Sequence, residues 1–176
     1  MYLDAQLGSG QMFSHTLSEH AELRLLEVRH AEELSDLTNR NRDHLRAWLP
    51  WVDANRTVED RKKFIRGALK QFAENNGFQA GIWYDGRLAG VVGYHAIDWE
   101  NRSTALGYWL GEEYQGKGLV TAACRALVEH AFGELSLNRV SITCATENKK
   151  SCAVPERLGF GERALCARPS GSTTTS

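Results

Sequence analysis

"GYWLGEEYQGKGLVTAACRALVEHAF", Gly107 to Phe132, passes from an apolar run through two glycines into a long apolar pattern. From about Leu119 to Leu135 the only clear polar stripe is Thr121, Arg125 and Glu129, so the spacing predicts a helix buried against a sheet. "TALGYWLG" before it reads as a strand. Between the two, Gln115-Gly116-Lys117-Gly118 is a strand-to-helix turn. A helix start leaves several main-chain N–H groups without partners. Glycine lets an anion approach that backbone closely, and the helix dipole favours phosphate there. Each charge-assisted hydrogen bond contributes roughly 1.5–3 kcal/mol. Taken alone, the glycines are equally compatible with a plain tight turn. They do not form a P-loop, because no Ser or Thr follows Gly-Lys. Nor do they form a dinucleotide fingerprint, because Gly-x-Gly-x-x-Gly fails and the turn follows a meander.

Upstream, "FQAGIWY" and "RLAGVVGYHAI" flank Asp85-Gly86, a strong hairpin signal. The second run is apolar on both faces, which predicts helices on both sides of the sheet. "ELRLLE" (Glu22–Glu27) alternates as a first strand. "HAEELSDLTNRNRDHLRAWL" reads as a broken helix stopped by Pro50, and "TVEDRKKFIRGALKQFAENN" as a second helix. Downstream, "RVSITCAT" alternates as a further strand and "NKKSCAVPERLGF" as a short helix whose Pro155 removes one hydrogen bond. A strand, a crossover helix and another strand imply a right-handed unit with a parallel pair. The fold class is therefore α+β.

The 176 residues fit one domain, and 42% apolar with 24% charged is ordinary globular composition. A net charge of −1 gives no footprint for direct nucleic-acid binding. No stretch is long enough to span a membrane, and the start lacks a signal-peptide pattern. Cys124, Cys144, Cys152 and Cys166 show no paired metal spacing. With Cys124 in the helix and Cys144 in a strand, the expectation is free thiols in a reduced, cytoplasmic setting, and no metal.

Together, "HLRAWLPWV", "LGYWLGEEYQGKGL" and "AFGELSLNRVSITCATENKKSCAVPERLGF", with the spacing between them, resemble the GNAT superfamily of acetyl-CoA-dependent N-acetyltransferases. The closer resemblance is to the RimJ/RimL type, which acetylates ribosomal-protein N-termini. It runs from Glu22 to Phe160, and the family's Gln/Arg-x-x-Gly-x-Gly/Ala turn is met by "QGKGLV", with Val120 departing at its last position. The resemblance implies a mostly antiparallel mixed sheet with helices on both faces. It also implies that the amides of Gln115, Gly116, Lys117, Gly118, Leu119, Val120 and Thr121 cradle the pyrophosphate of acetyl-CoA. The strand at Trp109, Leu110 and Gly111 would pair with the pantetheine arm, and the Leu110 amide would face the thioester carbonyl. Asn148 would bond the pantetheine, or else simply cap its helix. Ser151 would protonate the departing thiolate, although without the resemblance it reads as a surface residue. Many superfamily members use a Tyr for that step, and none stands nearby in the sequence. Glu112, Glu113 and His95 have side chains able to act as base, but each reads first as a surface or core residue, and none is assigned as the base. Trp48 and Trp51 either line the acceptor cleft or pack a helix end.

After Phe160 the resemblance stops. Where the family continues with two antiparallel strands, this chain has "GERALCARPSGSTTTS", a polar low-complexity ending that a shifted reading frame would explain. The expected organisation is a disordered extension over 1–14, the acetyltransferase domain over 15–160 and an aberrant tail over 161–176. Without the closing strands, the strand near Val140 would have an open edge, a route to a homodimer. The implied reaction is acetyl transfer to a protein N-terminus. A small-molecule amine is the alternative acceptor, and an acyl-CoA-binding module with little catalysis is the alternative class.

Overall fold

The computed structural model describes residues 13–54 and 56–161. All but the first residue of the expected tail over 161–176 and nearly all of the expected extension over 1–14 lie outside them. Six strands form one sheet in chain order: β1 Ser14–Thr16, β2 Ala21–Leu25, β3 Gln79–Tyr84, β4 Arg87–Tyr94, β5 Ser103–Leu110 and β6 Arg139–Ile142. Neighbours are antiparallel except β5 and β6, which run parallel through the crossover helix. The strand β1 was not expected. Its three residues are exposed and carry no apolar alternation, and only pairing with β2 defines them.

The β3–β4 hairpin turns at Asp85 and Gly86, both with positive φ (47° and 74°), as this tight turn requires. Strand β4 is buried from Leu88 to Tyr94. On one face lie α1 (Ala31–Arg40) and α4 (Val58–Ala73), packing Leu34, Leu37 and Ile65 against Trp83, Leu88 and Val91. On the other lies α5 (Leu119–Gly133), whose Ala123, Cys124, Leu127 and Ala131 pack against Val92, Tyr94 and Leu106. Burial pushes the Cys124 thiol up to about 12, so it stays a neutral core residue. The Tyr94 hydroxyl donates to the Leu127 carbonyl and ties α5 to the sheet.

The helix expected before Pro50 breaks at Asn41. This buried side chain donates to the Leu37 carbonyl and accepts from the Glu112 amide at 2.7 Å. Two short helices follow, α2 (Arg42–Arg46) and α3 (Trp51–Ala54). Asn41 thereby anchors the segment that enters the Gln-Gly-Lys-Gly turn. Helix α4 opens with a capping box: Thr57 Oγ1 accepts from the Asp60 amide, and the Asp60 carboxylate accepts from the Thr57 amide. Removing the cap in Thr57→Ala should lower Tm by about 2–4 °C without changing catalysis, as scanning calorimetry and steady-state rates would show.

One expectation is corrected. Cys144 lies beyond the end of β6 and is joined to Cys152 in α6 (Lys149–Arg157) by a disulfide, with Cα atoms 5.5 Å apart. Residues eight apart meet because the chain reverses between the strand end and the first turn of α6. Spacing alone, read for metal pairs, does not reveal that reversal.

Candidate active site

Register decides which main-chain groups of β5 are free. Gly111 donates to the Ala89 carbonyl and His95 to the Ala105 carbonyl, both at 2.8 Å, so the odd-numbered residues of β5 bond β4. Antiparallel pairing alternates, so Leu106, Tyr108 and Leu110 turn their main-chain groups the other way, toward β6. Pairing with β6 ends at Leu106 and Ile142. Beyond that point the two parallel strands separate, and the N–H groups of Tyr108 and Leu110 face the gap. Of the three residues expected to meet a pantetheine arm, Leu110 has its amide there. Gly111 spends its amide on Ala89, and Trp109 pairs with Val91.

The gap opens into a cleft of about 1160 Å³ between the ends of β5 and β6, the start of α5 and the first turn of α6. Ten of the expected residues line it: Trp109, Leu110, Gln115, Gly116, Gly118, Leu119, Val120, Thr121, Asn148 and Ser151. Gly111 and Lys117 do not. The Lys117 ammonium instead lies over the Tyr84 ring, 5.4 Å from its centroid, so only its main chain can serve an anion in the turn.

Gly116 and Gly118 sit at φ +77° and +74°, with open space where a Cβ would stand. Among the described residues, none of the amides from Gly116 to Thr121 donates to a protein acceptor. The Gln115 amide does, to the Glu112 carbonyl at 3.1 Å, and drops out of the expected cradle because a single 3-10 turn closes just before it. Six main-chain donors in an open, glycine-lined cup at a helix N-terminus suit a diphosphate.

The Gln115 side chain bridges the cleft. Lys150 Nζ has only protons to give, and it lies 2.8 Å from Gln115 Oε1. That fixes the amide so that its Nε2 donates to His44 Nε2, also at 2.8 Å. In this arrangement His44 Nε2 is the acceptor. The helix α2, the turn and α6 are thus linked across the site.

Asn148 caps α6 by accepting from the Ser151 amide at 3.1 Å, which leaves its amide NH₂ to donate into the cleft. Ser151 is half-buried and donates to the Tyr108 hydroxyl oxygen at 3.1 Å. A tyrosine does stand beside Ser151, from β5 rather than from its own helix. It could have been found in the sequence at two residues before Leu110, on the same strand face. Glu112, Glu113 and His95 do not line the cleft. Glu113 lies 3.7 Å from Arg40, and the His95 ring covers Gly107. Trp48 lines the cleft with His44, Leu45 and Leu49, whereas Trp51 packs on Trp109, with ring centroids 6.1 Å apart, and under Arg61.

The acetyltransferase (GNAT) domain family matches residues 20–161. YdaF of Bacillus subtilis (strain 168), named as a ribosomal N-acetyltransferase, is 44% identical over 152 residues, 86% of this chain and 83% of that protein. The ribosomal-protein-serine acetyltransferase of Escherichia coli (strain K12) is 30% identical over 144 residues, covering 82% and 80%. Among solved structures, the ribosomal L7/L12 α-N-protein acetyltransferase RimL in complex with coenzyme A superposes with a TM-score of 0.78 at 28% identity, covering 82% of this chain and 81% of that one. A splayed parallel strand pair, a glycine turn with its amides open and relatives of this closeness leave one assignment: the chain belongs to the GNAT acetyltransferases.

Proposed function

We propose that the chain transfers the acetyl group of acetyl-CoA to the α-amino group of a ribosomal protein's N-terminus. The observation that carries this reading is the Leu110 amide, free in the gap between β5 and β6, with Ser151 and Asn148 across from it and the open amides of Gly116–Thr121 at one end. The amides of Gly116 to Thr121 hold the diphosphate. Asn148 donates to the pantetheine arm, and the Leu110 N–H faces the thioester carbonyl, where negative charge develops as the amine attacks. The amine nitrogen loses one proton, the departing sulfur gains one from Ser151, and no acyl-enzyme forms.

The acceptor class follows from proton supply. Glu147 is the sole carboxylate among the described residues lining the cleft, and His44 already accepts from Gln115. An α-amino group has a pKa of about 7.7–8.0 and is substantially neutral near physiological pH, whereas a lysine amine at about 10.4 demands a stronger base. The names of the relatives point the same way.

The test is a panel: acetyl-CoA with peptides bearing ribosomal-protein N-termini, the same peptides with a blocked α-amine and an internal lysine, and small amines. Mass spectrometry should find acetyl on the α-nitrogen. Turnover of polyamines or amino acids with untouched peptides would replace this reading with the small-amine one.

A further inference from the structure

Pro155 sits inside α6 and has no N–H, so the carbonyl four residues earlier, that of Ser151, has no i+4 amide to accept from. The Tyr108 hydroxyl fills that vacancy, donating to the Ser151 carbonyl at 2.9 Å. A phenol has one proton. With it committed to the carbonyl, the Tyr108 oxygen can only accept from Ser151 Oγ, 3.1 Å away. One side chain therefore grips Ser151 at both its main chain and its hydroxyl, and the proline is what opens the first of those contacts. Burial pushes the Tyr108 phenol up to about 12, so it remains a neutral acceptor at working pH rather than a phenolate that would retain the serine proton.

We infer that Tyr108 is a positioning residue for acetyl transfer: it fixes the Ser151 hydroxyl at the mouth of the gap beside Leu110, where a departing thiolate displaces the phenol oxygen as acceptor of the serine proton. This rests on Ser151 being the proton donor to sulfur. The thiolate, carrying a full charge, outcompetes a neutral phenol for the proton. As the serine gives its proton to sulfur it takes up the one released by the amine, directly or through solvent, so no serine alkoxide is left behind and the protons balance.

The test is a set of variants with separate kcat and KM values. Tyr108→Phe keeps the ring and removes the hydroxyl; kcat should fall on the order of tenfold, the kinetic counterpart of one hydrogen bond, with KM for acetyl-CoA within about twofold. Ser151→Ala should cost at least as much, and Tyr108→Phe should add nothing in that background. Pro155→Ala separates positioning from support. It returns an N–H to the helix, so in the Tyr108→Phe background it should restore Tm but leave kcat low. A Tyr108→Phe enzyme with unchanged kcat, a penalty that persists without Ser151, or recovery of kcat by Pro155→Ala overturns the inference alone. An undiminished rate in Ser151→Ala overturns the proton-donor reading and this inference with it.

Discussion

Gly118→Val is expected to weaken acetyl-CoA binding about a hundredfold while lowering Tm by only about 2–8 °C. Gly118 is the N-cap of α5 at φ +74°, and nothing lies within 4 Å of where its Cβ would be. A Cβ there therefore meets no protein atom. A β-branched residue fills the cup where a diphosphate would lie, and it is forced into a left-handed conformation that costs about 1–2 kcal/mol. Losing two charge-assisted hydrogen bonds at about 1.5 kcal/mol each gives the hundredfold. The control is Gly86→Val in the β3–β4 turn, which has the same φ and the same empty surroundings but lies away from the cleft. It should lose comparable stability and no affinity. Calorimetric titration of both variants separates strain from occupation of the cup. If Gly118→Val binds acetyl-CoA like the parent, the open amides do not hold the diphosphate.

That contrast shows where the sequence was legible. The Asp85-Gly86 hairpin, the apolar α5 and the "TALGYWLG" strand β5 are local signals, and each appears close to where the sequence put it. The turn's glycines were readable because positive φ is a local demand. What escaped depends on contacts between distant segments. That the helix before Pro50 is broken was legible, but the place of the break was not: Asn41 is held there by its bond to Glu112, 71 residues away. The Tyr108–Ser151 contact spans 43 residues and needs the β5 pleat to aim one side chain at α6. Gly111 and Lys117 fell inside the motif, yet pairing with Ala89 takes up the Gly111 amide and the Tyr84 ring draws the Lys117 side chain, though not its amide, away. A motif locates a main chain; which of its groups remain free is settled by register and by neighbours.

Reduction of the Cys144–Cys152 disulfide is expected to destabilise the fold by about 2.5 kcal/mol, the chain-entropy value for a loop of about nine residues. For a chain of this size that lowers Tm by about 5–10 °C. The bridge closes the segment that carries Asn148 and Ser151, and Cys144 itself lines the cleft. Loosening this wall frees the cap at Asn148 to exchange partners, so KM for acetyl-CoA should rise severalfold, and saturating acetyl-CoA should recover part of the lost Tm by binding the folded state. Cys152→Ser reports the same loss without a reductant and leaves the pocket-lining residue in place. The free thiol at Cys124 is buried and neutral, so brief reduction followed by alkylation should label Cys144 and Cys152 ahead of it. In a reducing compartment a surface bridge of this kind does not persist unaided. The oxidised and reduced chains would then differ in affinity for the same substrate. Equal Tm and equal KM in Cys152→Ser and the parent would show that the first turn of α6 holds its geometry through Asn148 and Tyr108 alone.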